Sequence, residues 1–133
     1  MNALVEAALK ARLNSYSPYS NFKVGAALLD EHGNIHSGCN VENSAYPEGT
    51  CAEAGALSAL AISGARKIME VAVVGAGAGL VTPCGGCRQK IREFAAPDVK
   101  IHVCDDHGKV KRTFTLDELL PSSFGPDNLD AVK

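Results

Sequence analysis

The run Thr82-Pro83-Cys84-Gly85-Gly86-Cys87-Arg88-Gln89 sets two cysteines three positions apart, and an upstream run, Thr50-Cys51-Ala52-Glu53-Ala54, adds a third cysteine with a carboxylate two residues on. Both runs read as helix starts. Three thiolates fill three positions of a tetrahedral Zn²⁺ and leave the fourth open, which distinguishes a catalytic zinc site from a structural one. A carboxylate on the first helical turn beside a zinc ligand can reach water in that fourth position, as general base and then as general acid. Plainer readings stand beside this one. Cys84 and Cys87 alone fit a redox dithiol, because a helix N-terminus favours the thiolate for either use. Cys39 or Cys104 as a fourth ligand would give a closed, noncatalytic zinc module. Glu53 also fits the N3 position of a capping box opened by Thr50. The functional reading of Glu53 therefore needs Cys51 to bind metal.

The elements that must position these residues follow from hydrophobic periodicity and turn residues. Leu4, Val5, Ala8 and Leu13 fall roughly on one stripe of an N-terminal helix over residues 2–13. The spacing predicts a strand over residues 22–29, a turn at Glu31-His32-Gly33-Asn34 and a returning strand over residues 35–39. A polar loop leads to a helix from Cys51 to about Ser63, stopped by Gly64. Val71-Ala72-Val73-Val74 reads as a strand buried on both faces. Pro83 suits the first turn of a helix running to about Ala95. Strands over residues 99–104 and 109–114 and a short helix over residues 116–120 complete the order. That order implies a layered α/β domain with a mixed sheet, an antiparallel hairpin at one edge and parallel strands after it.

Composition bounds the partners. A chain of 133 residues fits one domain. Net charge is −2, and the short basic stretch Lys109-Val110-Lys111-Arg112 reads as a solvated strand rather than a nucleic-acid patch. No stretch is apolar for long enough to span a membrane, and the N-terminus lacks the pattern of a signal peptide. Five cysteines without such a signal favour reduced thiols in the cytoplasm. Gly75-Ala76-Gly77-Ala78-Gly79-Leu80 lacks the third glycine of a dinucleotide fingerprint and reads as a loop. Cys39 and Cys104 read as buried small hydrophobes; His32, His36 and His107 are expected to face solvent, and His102 has no visible partner.

Cys51-Ala52-Glu53 followed by Pro83-Cys84-x-x-Cys87 resembles the zinc-dependent cytidine deaminases. The resemblance extends to Tyr16-Ser17-Pro18-Tyr19-Ser20-Asn21-Phe22 and on to Ala27, to Gly38-Cys39-Asn40-Val41-Glu42-Asn43, and to Leu119-Leu120-Pro121-Ser122-Ser123-Phe124. It covers nearly the whole chain, in register with the small homotetrameric class. It implies a single α/β domain over residues 1–133, a three-layer α/β/α cytidine deaminase-like domain with a mixed five-stranded sheet. It assigns Cys51, Cys84 and Cys87 to Zn²⁺ and Glu53 to catalytic proton transfer. It assigns Phe22, Asn40, Glu42, Ala52 and Phe124 to the nucleoside, with Asn40 and Glu42 on the sugar hydroxyls. Phe124 would enter a neighbouring subunit's site and stack on the base. From the residues alone, Phe22 and Phe124 read as core packing, and Asn40 and Glu42 as an ordinary polar loop. The implied activity is hydrolytic deamination of cytidine and 2′-deoxycytidine in pyrimidine salvage, on a small-molecule substrate, without nucleic acid or membrane. The alternative within the class is a modified cytosine nucleoside or blasticidin S. One position departs from the pattern: many members carry arginine after the glutamate, and here it is Ala54. The negative charge of three thiolates must then be offset elsewhere, and two helix N-termini can do so.

Overall fold

A computed structural model describes residues 1–130 of the chain; the last three residues of the expected domain lie outside them. Asn2 opens helix α1 (Ala3–Arg12) by accepting the Val5 amide at 2.9 Å. The helix buries Leu4, Val5 and Ala8, whereas Leu13 is its C-cap residue and 70% exposed, off the expected stripe. Five strands follow: β1 (Val24–Asp30), β2 (Ile35–Cys39), β3 (Ile68–Gly75), β4 (Lys100–Cys104) and β5 (Val110–Thr115). They form one sheet in the order β2-β1-β3-β4-β5. The pair β1/β2 is the expected antiparallel hairpin. Only β3 and β4 run parallel; β5 returns antiparallel to β4, against the expectation that parallel strands continue to the end. The turn at Asp105-Asp106-His107-Gly108 is the cause. Asp105 and Lys109 close it by a main-chain hydrogen bond of 2.9 Å, and so short a link joins only antiparallel neighbours.

The side-chain alternation of the strands sorts the core onto two faces. Leu28, Val71, Val73, Ile101 and Val103 pack with Ala56 and Leu60 of helix α2 (Ala52–Ile62) and Ile91 of helix α3 (Gly85–Phe94). On the opposite face, Ala27, Ala72, Val74 and Cys104 pack against Leu4, Val5 and Ala8 of α1. The result is the expected α/β/α arrangement. Helices α4 (Leu116–Leu119) and α5 (Pro126–Asp130) and a 3₁₀ turn at Tyr46–Glu48 complete it. No helix among the described residues is long and apolar enough to cross a membrane.

Two local expectations change. Cys51 is the N-cap of α2 and Glu53 its second residue, so Thr50 opens no capping box there. The box is instead at Thr115 and Glu118, which cap α4 reciprocally. Cys84 is the N-cap of α3, which places Pro83 before the helix rather than in its first turn. Two histidines also differ. His36, expected at the surface, lies on β2 with its ring nitrogen 2.7 Å from the buried Asp30 carboxylate. His102 has two partners, Glu70 at 2.5 Å and Thr113 at 2.8 Å, across the neighbouring strands.

Gly38 decides how closely α2 approaches the sheet. A Cβ there would lie 2.5 Å from the Ala52 carbonyl oxygen and nearer still to the Ala56 nitrogen. A glycine inside a strand commonly marks such a backbone approach. We expect Gly38→Ala to destabilise the fold by about 1–3 kcal/mol through overpacking. Gly55 is in the same helix, and a Cβ there meets nothing nearer than 3.8 Å. Gly55→Ala is therefore expected to stabilise by about 0.5–1 kcal/mol through helix propensity. Denaturant unfolding of the two variants checks the opposite signs. Asp30 supplies a pH test. The His36 ring, then the Asn34 and His32 amides, hold its pKa below the ordinary carboxylate value. Its stabilisation is present above the unfolded-state value of about 3.9 and is lost as pH falls through the lower folded value. The deficit of Asp30→Asn should therefore be largest near neutrality and shrink below about pH 4; a pH series of melting curves would show a constant deficit if the assignment is wrong.

Candidate active site and metal centre

The first turns of α2 and α3 bring three sulfurs together. Cys51 and Cys84 are the two N-caps, and Cys87 is one turn into α3. Their Sγ atoms all lie within 4.8 Å of one another, with Cys51 and Cys84 3.9 Å apart. Zinc–sulfur bonds of about 2.3 Å at a tetrahedral angle require sulfurs about 3.8 Å apart, so the spacing fits the ion. The electrostatics fit it as well. Burial pushes the Cys87 and Cys51 thiols up, and the neighbouring carboxylate and sulfur charges add to the effect. The Cys87 main-chain N–H instead holds the Cys84 thiol below its ordinary value. A crowded set of anionic sulfurs is what a divalent cation relieves. Each helix N-terminus contributes roughly half a positive charge at the same point. All five cysteines are free thiols, and neither Cys39 nor Cys104 joins the cluster. Cys104 packs under α1 on the other face of the sheet.

Glu53 sits beside the sulfurs, 5% exposed. Burial raises its pKa, opposed only by its own main-chain N–H. With no capping partner at Thr50, the carboxyl group remains available for proton transfer. Ala52 is buried against β2, and its main-chain N–H, in the first helical turn, has no intrahelical partner.

Main-chain hydrogen bonds lace the nucleoside-assigned segment to this centre. Val41 and Thr50 exchange both of theirs, at 2.9 and 2.8 Å, one residue before Cys51. Tyr16 bonds on either side of Val41, to Asn40 and Glu42, at 3.0 and 2.8 Å. Asn40 holds the strand entry: its Oδ1 accepts the Val24 amide at 2.9 Å and the Ser15 hydroxyl, and its Nδ2 donates to the Phe22 carbonyl at 2.8 Å. Glu42 accepts the Tyr19 and Ser20 amides at 3.0 and 3.2 Å and the Ser20 hydroxyl. The Ser20 hydroxyl is the main cause of its lowered pKa. Neither residue is an ordinary solvated loop position. Phe22 and Phe124 are 44% and 58% exposed, which overturns their reading as core packing.

Tyr19, Ser20, Glu42, Asn43, Tyr46 and Gly49 line a cleft of about 380 Å³ next to this network. A larger cavity of about 800 Å³ lies at the other end of α3, among Ile68, Glu70, Phe94 and Lys100. It contains no cysteine, so size alone would misplace the site. Sequence reasoning missed Ser20 and Arg88. Arg88 follows Cys87 directly and donates to the Pro83 carbonyl at 2.7 Å and the Thr82 hydroxyl at 3.1 Å, bracing the loop that carries Cys84. Its position beside a ligand cysteine was the available signal.

The comparisons with known proteins agree with this geometry. The family model for the cytidine and deoxycytidylate deaminase zinc-binding region matches residues 1–103. Cytidine deaminase of Sporosarcina psychrophila is 43% identical over 126 residues, 95% of this chain and 92% of that protein. The crystal structure of cytidine deaminase from Burkholderia pseudomallei superposes with a TM-score of 0.85 at 43% identity, covering 93% of this chain and 100% of that one. The Mycobacterium tuberculosis cytidine deaminase structure gives 0.80 at 36% identity, over 92% and 94% of the two chains. With three sulfurs placed for zinc and a buried carboxyl beside them, the chain belongs to the zinc-binding cytidine and deoxycytidylate deaminase family.

Proposed function

We propose that this chain, as one cytidine deaminase-like domain, hydrolyses cytidine and 2′-deoxycytidine to uridine and 2′-deoxyuridine with release of ammonia. The observation that carries the reading is the convergence of Cys51, Cys84 and Cys87 beside the buried Glu53. The three cysteines would hold Zn²⁺, which when bound supplies Lewis acidity that lowers the pKa of water to about 7. Glu53 accepts the proton of the attacking water and carries it to N3 of the pyrimidine. Water oxygen bonds to C4, and a second proton passes to the exocyclic nitrogen as the C4–N bond breaks. Burial suits Glu53 to both roles: it raises the carboxyl's pKa, which makes the carboxylate a better acceptor for the proton it then gives back.

Phe22, Asn40, Glu42 and the Ala52 N–H form the nucleoside side of the site in this reading. The exposed ring of Phe124 serves a neighbouring copy in a homotetramer. The exposed Tyr16, Tyr19, Val41 and Tyr46, of which Tyr16 pairs with Val41 and Tyr19 meets Tyr46 edge-on, support such an assembly. Five free thiols suit a cytoplasmic enzyme.

Glu53→Gln is expected to retain zinc and lose about 10²–10⁴-fold in kcat, the usual contribution of a general acid–base group. Ultraviolet assays of cytidine turnover, with metal analysis of the same sample, check it; full-rate turnover by the zinc-loaded variant would remove Glu53 from the mechanism. Separately, chelation should abolish deamination, added Zn²⁺ should restore it, and Cys84→Ser should lower zinc occupancy. A dithiol redox protein would remain active without metal.

A further inference from the structure

Helix α3 carries two sets of groups. Its N-terminal end supplies Cys84 and Cys87, and its side chains further along grip the end of α4 and the segment after it. Arg88 donates to the Leu119 carbonyl at 2.7 Å. Gln89 Nε2 donates to the main-chain carbonyl of Phe124 at 2.9 Å. Arg92 is 6% exposed, and each nitrogen of its guanidinium donates: to the Ser123 hydroxyl at 2.9 Å, to the Asp127 carboxylate at 2.6 Å and to the Ala95 carbonyl at 3.4 Å. Gly125 lies so close over the Arg92 guanidinium that a Cβ there would overlap it. Ser122, just before this stretch, adopts a φ of 54°, a left-handed conformation that a non-glycine residue keeps only where its surroundings hold it.

The grip has a selective outcome. The buried Arg92 holds this segment by the side chains of Ser123 and Asp127, and Gln89 holds it by the main-chain carbonyl of Phe124, while the ring of Phe124 is left 58% exposed. Tethering of a C-terminal segment needs no exposed aromatic ring. A fixed backbone beneath an exposed ring is the arrangement of a preorganised contact, in which the ordering entropy is lost on folding rather than on binding.

We propose that Gln89 and Arg92 are positioning residues for Phe124: they hold residues 122–127 so that the ring meets a pyrimidine base. Helix α3 then ties the base-contacting ring to the metal end of the same element. The proposal rests on the reading that Phe124 contacts the nucleoside. Groups that act through Phe124 affect substrate binding rather than proton transfer at Glu53, so their removal raises KM and leaves kcat unchanged.

The test measures cytidine deamination by zinc-loaded Gln89→Ala, Phe124→Ala and the double variant, with zinc content, oligomeric state and melting temperature recorded for each. Loss of one hydrogen bond to a carbonyl is expected to raise KM about three- to tenfold in Gln89→Ala at unchanged kcat, zinc content and assembly. Phe124→Ala should raise KM by at least as much, and the double variant should be no worse than Phe124→Ala. Effects that multiply in the double variant would overturn the proposal and leave the role of Phe124 standing. An unchanged KM in Phe124→Ala would overturn the underlying reading and the proposal with it. Arg92→Lys keeps the charge but loses the planar fork, and it should likewise raise KM alone. A lower melting temperature with unchanged KM in that variant would reduce Arg92 to an anchor.

Discussion

Two helix N-termini meet at three sulfur atoms, and the rest of the fold is arranged around that meeting. Each terminus carries roughly half a positive charge and unpaired amides, so their approach is unfavourable unless anions lie between them. Cysteine at both cap positions supplies those anions. Burial first, and then the negative charge crowded around Glu53, raises the Cys51 and Cys87 thiols. The dipoles cannot neutralise that charge fully, and a divalent ion can. No arginine follows Glu53, where Ala54 stands, and Arg88, next to Cys87, is committed to Pro83, Thr82 and Leu119. The helix termini are left to offset the thiolates.

Holding two helices at that distance is a problem for the sheet. Gly38 lets α2 rest on the backbone of β2, and the exchange between Val41 and Thr50 sets the height of Cys51 above it. On the other side, β3 ends at Gly75, and Arg88 braces the loop before Cys84. Strand β3 is buried on both faces through Val71, Ala72, Val73 and Val74, so little of its position is free to vary. A central strand buried on both faces, with connections tied by hydrogen bonds, holds two helix starts in register, as a metal site on separate elements requires.

Much of this was legible in the sequence, for identifiable reasons. Cysteine spacing at helix starts is a local signal, and so is the apolar run of β3. The direction of β5 was not legible from periodicity, which is blind to strand direction; it depended on the Asp105–Lys109 turn closing. The capping box at Thr50 failed because the same pattern admits a cap one residue later, and only the fold places Cys51 there. Exposure of Phe22 and Phe124 was equally hidden, since an aromatic ring is core or surface according to what packs on it. The partners of His102 and His36 come from neighbouring strands, and register is a tertiary property.

The polar residues assigned to the sugar carry a further constraint. Asn40 uses both acceptor sites of its side-chain oxygen, on Val24 and Ser15, and one of its two N–H groups on Phe22. Glu42 accepts three donors, from Tyr19 and Ser20, at two oxygens that offer about four sites. One donor and one acceptor remain between them, which is the complement of a single hydroxyl group. In the proposed reading, the bonds that hold Asn40 and Glu42 in place therefore also limit what they can recognise. The same residues fix the entry to β1 and the position of Phe22, so a substitution at either would disturb scaffold and pocket together. Phe124 is different: its ring projects from a segment held by α3, and its removal leaves the hydrogen bonds of its main chain in place. The contribution of binding to turnover is therefore separable from the scaffold at Phe124 and inseparable from it at Asn40.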